Sequence, residues 1–134
     1  MPEKKLKYLS KEWADEVLKR CKKELTPEKM KHITSSMLTI NTNCPGGKTK
    51  AVFYELKNGV VDKLTVVEGT LPKAEFTITA EYNMFAKISR GEVKARAALM
   101  SGKMTLKGNL VKALTLSPTV DRLNEVIAKV PADY

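Results

Sequence analysis

Residues 76–116 read Phe76-Thr-Ile-Thr-Ala-Glu-Tyr-Asn-Met-Phe-Ala-Lys-Ile-Ser-Arg-Gly91-Glu-Val-Lys-Ala-Arg-Ala-Ala-Leu-Met-Ser-Gly102-Lys-Met-Thr-Leu-Lys-Gly108-Asn-Leu-Val-Lys-Ala-Leu-Thr-Leu116. Apolar residues first alternate: Phe76 and Ile78 share one side, Glu75, Thr77 and Thr79 the other. That is a half-buried strand. The period then lengthens. Tyr82, Phe85 and Ile88 recur at helical spacing after Thr79, a candidate cap, and Gly91 closes the helix. A second helix over 93–100 closes at Gly102. Met104 and Leu106 alternate again with Lys103, Thr105 and Lys107, and Gly108-Asn109 opens a very apolar helix. Almost none of these side chains can do chemistry. A segment spent on apolar faces and glycine stops suits a wall around something apolar.

Working back toward the N-terminus, the pattern is helix, then strands. Ser10 is a candidate N-cap, and Trp13, Ala14, Val17, Leu18, Cys21 and Leu25 repeat at helical spacing. Thr26-Pro27-Glu28 predicts a short second helix. Residues 36–41 carry Leu38 and Ile40 on one side of a strand, and 49–56 are rich in β-formers. Asn58-Gly59 marks a tight hairpin into a strand over 60–67. Ser117-Pro118 caps a last helix bearing Val120, Leu123, Val126, Ile127 and Val130.

The 134 residues therefore predict a single domain: N-terminal helices over 1–33, antiparallel strands over 34–79, then helices and the last strand over 80–134. The expected class is α+β, a five-stranded, mostly antiparallel sheet with helices packed on one face.

Composition narrows the function. No apolar run approaches the roughly 20 residues of a membrane span. The charged opening residues 1–7 have no apolar stretch behind them, which argues against a signal peptide, and the ending Ala132-Asp133-Tyr134 is not a peroxisomal address. The cytoplasm is the expected compartment. Cys21 lies on an apolar stripe and Cys44 precedes Pro-Gly-Gly, so neither a disulfide nor a Cys-x-x-Cys site is expected. A single histidine, His32, has no nucleophile placed beside it by the sequence, and no metal-ligand spacing or phosphate-loop signature occurs. Neither catalysis nor a cofactor is expected.

Net charge is +9, spread along the chain. It is densest where Lys87, Arg90, Lys94, Arg96, Lys103, Lys107 and Lys112 accompany only Glu92. Such a surface attracts anionic membranes, acidic partners or nucleic acid, or simply keeps the chain in solution. Against nucleic acid stand an aromatic share of 6% and no strand on which basic and aromatic residues interleave. Met30, Met37, Met84, Met100 and Met104 fall on or near element faces, as core filler or as the walls of a variable hollow.

The runs Ala74-Glu75-Phe76-Thr77-Ile78-Thr79, Phe85-Ala86-Lys87-Ile88-Ser89-Arg90-Gly91-Glu92-Val93 and Ala97-Ala98-Leu99-Met100-Ser101-Gly102-Lys103-Met104-Thr105-Leu106-Lys107-Gly108-Asn109-Leu110 together resemble the sterol carrier protein type-2 domain. The glycine spacing with Gly-Lys-x-x-x-Lys-Gly-Asn is the specific part, and about a third of the chain carries it. The chain departs from the animal carriers in its extra N-terminal helix and in having no peroxisomal tail. The resemblance implies an apolar tunnel between sheet and helices that takes a fatty acid, fatty acyl-CoA or sterol-like molecule. Positions matching its walls are Phe76, Ile78, Phe85, Ile88, Leu99, Met100, Met104, Leu106, Leu110 and Leu114. Lys87, Lys103 and Lys107 are candidates for a carboxylate or phosphate head. The expected activity is non-catalytic lipid binding and transfer, with an anionic bilayer as a transient partner. An accessory domain for an enzyme and a nucleic-acid binder are the alternatives.

Overall fold

A computed structural model describes residues 5–133; residues 1–4 and 134, which bear on the reading of the termini, lie outside the described residues. Strand β1 (Leu6–Lys7) leads into helix α1 (Lys11–Glu24), followed by β2 (Ser35–Cys44), β3 (Lys48–Lys57), β4 (Val60–Val67) and β5 (Phe76–Glu81). Helices α2 (Tyr82–Ser89) and α3 (Ala95–Met100), strand β6 (Thr105–Lys107), helices α4 (Leu110–Thr115) and α5 (Ser117–Lys129), and β7 (Ala132–Asp133) complete the chain.

The main sheet has the order β4-β3-β2-β5-β6. All its pairings are antiparallel except β2 with β5. The fold is thus the expected α+β arrangement with a five-stranded, mostly antiparallel sheet. The parallel pair follows from chain path. The link from β4 to β5 carries the chain past β3, and β5 adds to the free edge of β2 in the same direction.

Register decides which side of each strand meets the helices. Val66, Val52, Thr39, Ile78 and Leu106 form one row across all five strands. Tyr54 and Leu56 lie on the same side of β3 as Val52, since strand side chains alternate with period two. These three pack with Trp13, Ala14, Val17 and Cys21 of α1 and Leu123, Val126 and Ile127 of α5. The sequence had Leu38 and Ile40 as the apolar side of β2. The register instead pairs Leu38 with Phe53 and Thr77, in the row pointing away from the helices. Met37, Thr39 and Asn41 take the inner side, because Thr39 must lie beside Val52. Two polar residues are buried as a result: Thr39 is 6% exposed and Asn41 1%.

The core falls into two clusters. The larger joins α1, α5 and the β2-β3-β4 half of the sheet. The smaller gathers Ala80, Phe85, Ile88, Ala98 and Met104, with Ile78, Ala95 and Leu99 packed against it.

Local chemistry sets the element ends. Ser10 caps α1, its hydroxyl accepting from the backbone of Trp13 at 3.2 Å. Asn109 caps α4 by accepting from Lys112 N at 3.1 Å. Asn58 (φ 48°) and Gly59 (φ 81°) make the two-residue hairpin that Asn-Gly predicts. A side chain at Gly59 would also meet Pro27 O at 2.7 Å, so the hairpin tip packs against the 26–32 segment.

That segment is a series of turns, not the expected second helix. Thr26 does cap its start, accepting from Lys29 N at 3.2 Å. Lys31 and His32 then adopt left-handed backbone (φ 54° and 53°), which no right-handed helix tolerates. Three other boundaries move. β5 runs on to Glu81, so Thr79 is a strand residue and not a cap. α3 begins at Ala95 and not Val93. α5 follows α4 without a Ser117 side-chain cap. β1 and β7 pair in parallel, Leu6 beside Ala132, and bring the two ends of the described chain together.

Candidate functional site

An apolar hollow of about 80 Å³, open to solvent, lies between the sheet and the helices. Both core clusters contribute wall. Met37 and Leu56 come from β2 and β3, Phe76 and Ile78 from β5, Leu106 from β6 and Met104 from the residue before it. Ala95 and Leu99, four residues apart on α3, present one side to it. Leu116, Thr119, Val120 and Leu123 form a stripe at the start of α5 with the three- and four-residue spacing of one helix face. Met30 and Ile33 from the turns and Ala113 from α4 complete the apolar wall. Three methionines, Met30, Met37 and Met104, therefore face this space. Their unbranched thioethers adapt to guests of different shape.

Two charged residues lie on the lining, Arg96 of α3 and Asp121 of α5. Arg96 is exposed, so the hollow reaches the surface there. Among the described residues neither belongs to a salt bridge.

Behind it sits a smaller chamber lined by Tyr8, Thr39, Tyr54, Phe85, Ile88, Ser89, Asn124 and Ile127. Met37, Ile78, Ala95, Met104 and Val120 line both spaces and form the partition. Tyr8 and Ser89 share a buried hydrogen bond of 2.9 Å between their hydroxyl oxygens. Burial pushes the Tyr54 phenol well above its ordinary range, although its hydrogen bond with Thr39 pulls the other way. Tyr54 thus stays neutral.

The expected wall residues divide by position. Phe76, Ile78, Leu99, Met104 and Leu106 line the outer hollow, and Phe85 and Ile88 line the inner chamber. Met100, Leu110 and Leu114 line neither. Met100 is 66% exposed, because Leu99 takes the inward direction and the next helical residue turns about 100° away. Leu110, in the first turn of α4, is 49% exposed. Lys87, Lys103 and Lys107 are exposed and also line neither space. Lys107 follows Leu106 on β6 and so points to the sheet's other face. The cation on the lining is instead Arg96.

The sequence reading gave no wall role to Leu56, Leu116, Val120 or Leu123. The α5 set was legible as an apolar stripe, but a stripe does not say whether it meets side chains or a void. No group of three or more His, Cys, Asp or Glu able to hold an ion occurs among the described residues. Among the same residues, no helix is long and apolar enough to cross a membrane.

A twisted sheet with helices on one side and an apolar hollow between the layers defines a class of hollow-cored α+β domains. The model of the SCP-2 sterol transfer family matches residues 11–121, and the chain belongs to that family. It is 25% identical over 90 residues to an oleate-induced peroxisomal protein of Candida maltosa, covering 67% of this chain and 69% of that one. It is 35% identical over 75 residues to the non-specific lipid-transfer protein-like 1 of Caenorhabditis elegans, covering 56% of this chain and 61% of that one. A crystal structure of sterol carrier protein 2 superposes with a TM-score of 0.81 at 22% identity, over 92% of this chain and 99% of that one, a likeness of fold. Lipid binding is the general property of the family.

Proposed function

We propose that this chain binds and carries a long-chain amphiphile, a fatty acid, fatty acyl-CoA or sterol-like molecule, and performs no reaction on it. The observation that carries this reading is the outer hollow, walled by apolar side chains from both core clusters and reaching the surface beside Arg96. A greasy chain placed there leaves water at about 25 cal/mol per Å² of apolar surface, before the costs of ordering it. Such a chain has no directional groups, so apolar walls suffice. Arg96 then meets an anionic head at the rim, the role first given to Lys87, Lys103 and Lys107.

Five cations in the basic stretch, Lys87, Lys94, Arg96, Lys103 and Lys107, have no ion-pair partner among the described residues. They suit a brief stay on an anionic bilayer while cargo is exchanged. Cys21 and Cys44 are both free thiols, which suits action in the reducing cytoplasm.

The test is to extract the purified protein with organic solvent, analyse the extract by mass spectrometry, and titrate a fluorescent fatty acid against competing lipids. An acyl lipid should co-purify, and Leu99→Trp, which fills the hollow, should weaken probe binding at least about tenfold. Failure of fatty acids, acyl-CoAs and sterols alike to bind or to raise the melting temperature rejects the reading.

A further inference from the structure

The inner chamber differs chemically from the hollow it adjoins. Apolar side chains make up much of its wall, but five neutral polar ones also face it: Tyr8, Ser89, Thr39, Tyr54 and Asn124. No charged side chain lines it. Tyr8 pairs with Ser89, and the Thr39 hydroxyl, beside Tyr54, donates to the Val52 carbonyl at 3.4 Å. The amide of half-buried Asn124 has no hydrogen-bond partner among the described residues. That side-chain amide therefore remains to be satisfied, with both a donor and an acceptor on offer.

This arrangement penalises a plain methyl end. A saturated chain end pushed into the chamber would cover the Asn124 amide without giving it a partner, and an unsatisfied buried polar group is costly. A hydroxyl or carbonyl at the same place accepts from, or donates to, the Asn124 amide. A carboxylate or ammonium would be left as a buried charge with no counter-charge on the lining. The partition between the two spaces includes Met37 and Met104, flexible side chains that can shift for a guest.

We propose that the inner chamber is a subsite for a neutral hydrogen-bonding end group, so that the protein prefers amphiphiles with a hydroxyl or carbonyl at the end that enters first. This rests on the lipid-carrier reading above and specifies its ligand class. The charged head stays at the Arg96 rim, and the polar far end reaches the group formed by Asn124 and the neighbouring hydroxyls.

Two probes that differ only at the far end test it: palmitate and 16-hydroxypalmitate, titrated calorimetrically against the full chain. The hydroxylated probe should bind about fivefold more tightly, the size of one satisfied neutral hydrogen bond. Asn124→Leu should bring the two probes to equal affinity. Equal affinities in the unsubstituted protein, or a preference for palmitate, overturn the subsite while leaving lipid binding in place. A fivefold preference that survives intact in Asn124→Leu overturns the assignment to this chamber. If neither probe binds, the carrier reading itself fails and the subsite with it. The ratio in the unsubstituted protein decides the matter even if the variant does not fold.

Discussion

Glu75 sits where β5 begins, outside the hollow, and its carboxylate ties three parts of the chain together. It accepts from Ser35 Oγ at 2.5 Å and from the ammonium of Lys112 on α4, while its own backbone N–H donates to Ser36 Oγ at 2.8 Å. The bonds from Lys112 and Ser35 hold its carboxyl below the usual carboxylate range. Because the folded value is depressed, the stabilisation it gives is present above the ordinary carboxylate value and is lost as pH falls through the lowered one. A carbon-detected NMR titration should find the Glu75 midpoint below that of a model glutamate, and Lys112→Gln should raise it. An unshifted midpoint would show the Lys112 contact absent in solution. Nearby, Gly108 (φ 133°) has no space for a side chain, since a Cβ would lie 2.9 Å from both Glu75 O and Phe76 Cδ1. Phe76 walls the hollow, so this glycine also fixes the position of a cavity residue.

Helix α1 is the element that closes the larger core. Its side chains Trp13, Ala14, Val17 and Cys21 are each no more than 2% exposed. The Tyr8 ring meets Trp13 edge-on at 5.0 Å, which connects α1 to a residue lining the inner chamber. Burial, with Glu24 adding to it, pushes the Cys21 thiol up to about 12, so the side chain acts here as a small hydrophobe. Trp13→Ala should cost about 3–5 kcal/mol in urea unfolding, the range for losing a buried Trp. A loss under 1 kcal/mol would mean that α1 is dispensable to the core. The limits of α1 could be read from Ser10 and the helical stripe alone, and the hairpin at Asn58-Gly59 was equally plain, because caps and tight turns are local chemistry. The 26–32 segment misled for the opposite reason. Its cap and proline suit a helix, but packing of Pro27 and His32 against Gly59 holds the backbone in turns. The side of β2 misled too, since alternation marks two faces without saying which one the helices cover.

At the scale of the molecule, charge and apolar exposure fall on the same elements. The chain carries +9. Of the large apolar residues left exposed, Met100, Leu110 and Val111 belong to α3 and α4, whose Leu99 and Ala113 line the hollow. Lysine and arginine beside exposed apolar residues favour contact with an anionic interface. Binding to vesicles of phosphatidylcholine with phosphatidylserine should therefore exceed binding to phosphatidylcholine alone and weaken as salt rises. Reversing Lys94 and Lys103 together to Glu should lower it at least about tenfold, given roughly 1 kcal/mol per cation near such a surface. Binding indifferent to salt and to both reversals would remove the bilayer from the proposed cycle.

The sequence alone determined the α+β class, most element positions, the family resemblance and the poverty of reactive groups, since periodicity, capping and composition are properties of neighbours along the chain. Of the ten wall positions implied by the resemblance, seven line one space or the other. Tertiary structure decided the division of the core into two clusters, the hollow along their seam, Arg96 at its rim and the polar chamber behind it. A void is a property of how faces from distant segments fail to meet, and the amphipathic pattern of each face is the same whether it meets another side chain or empty space.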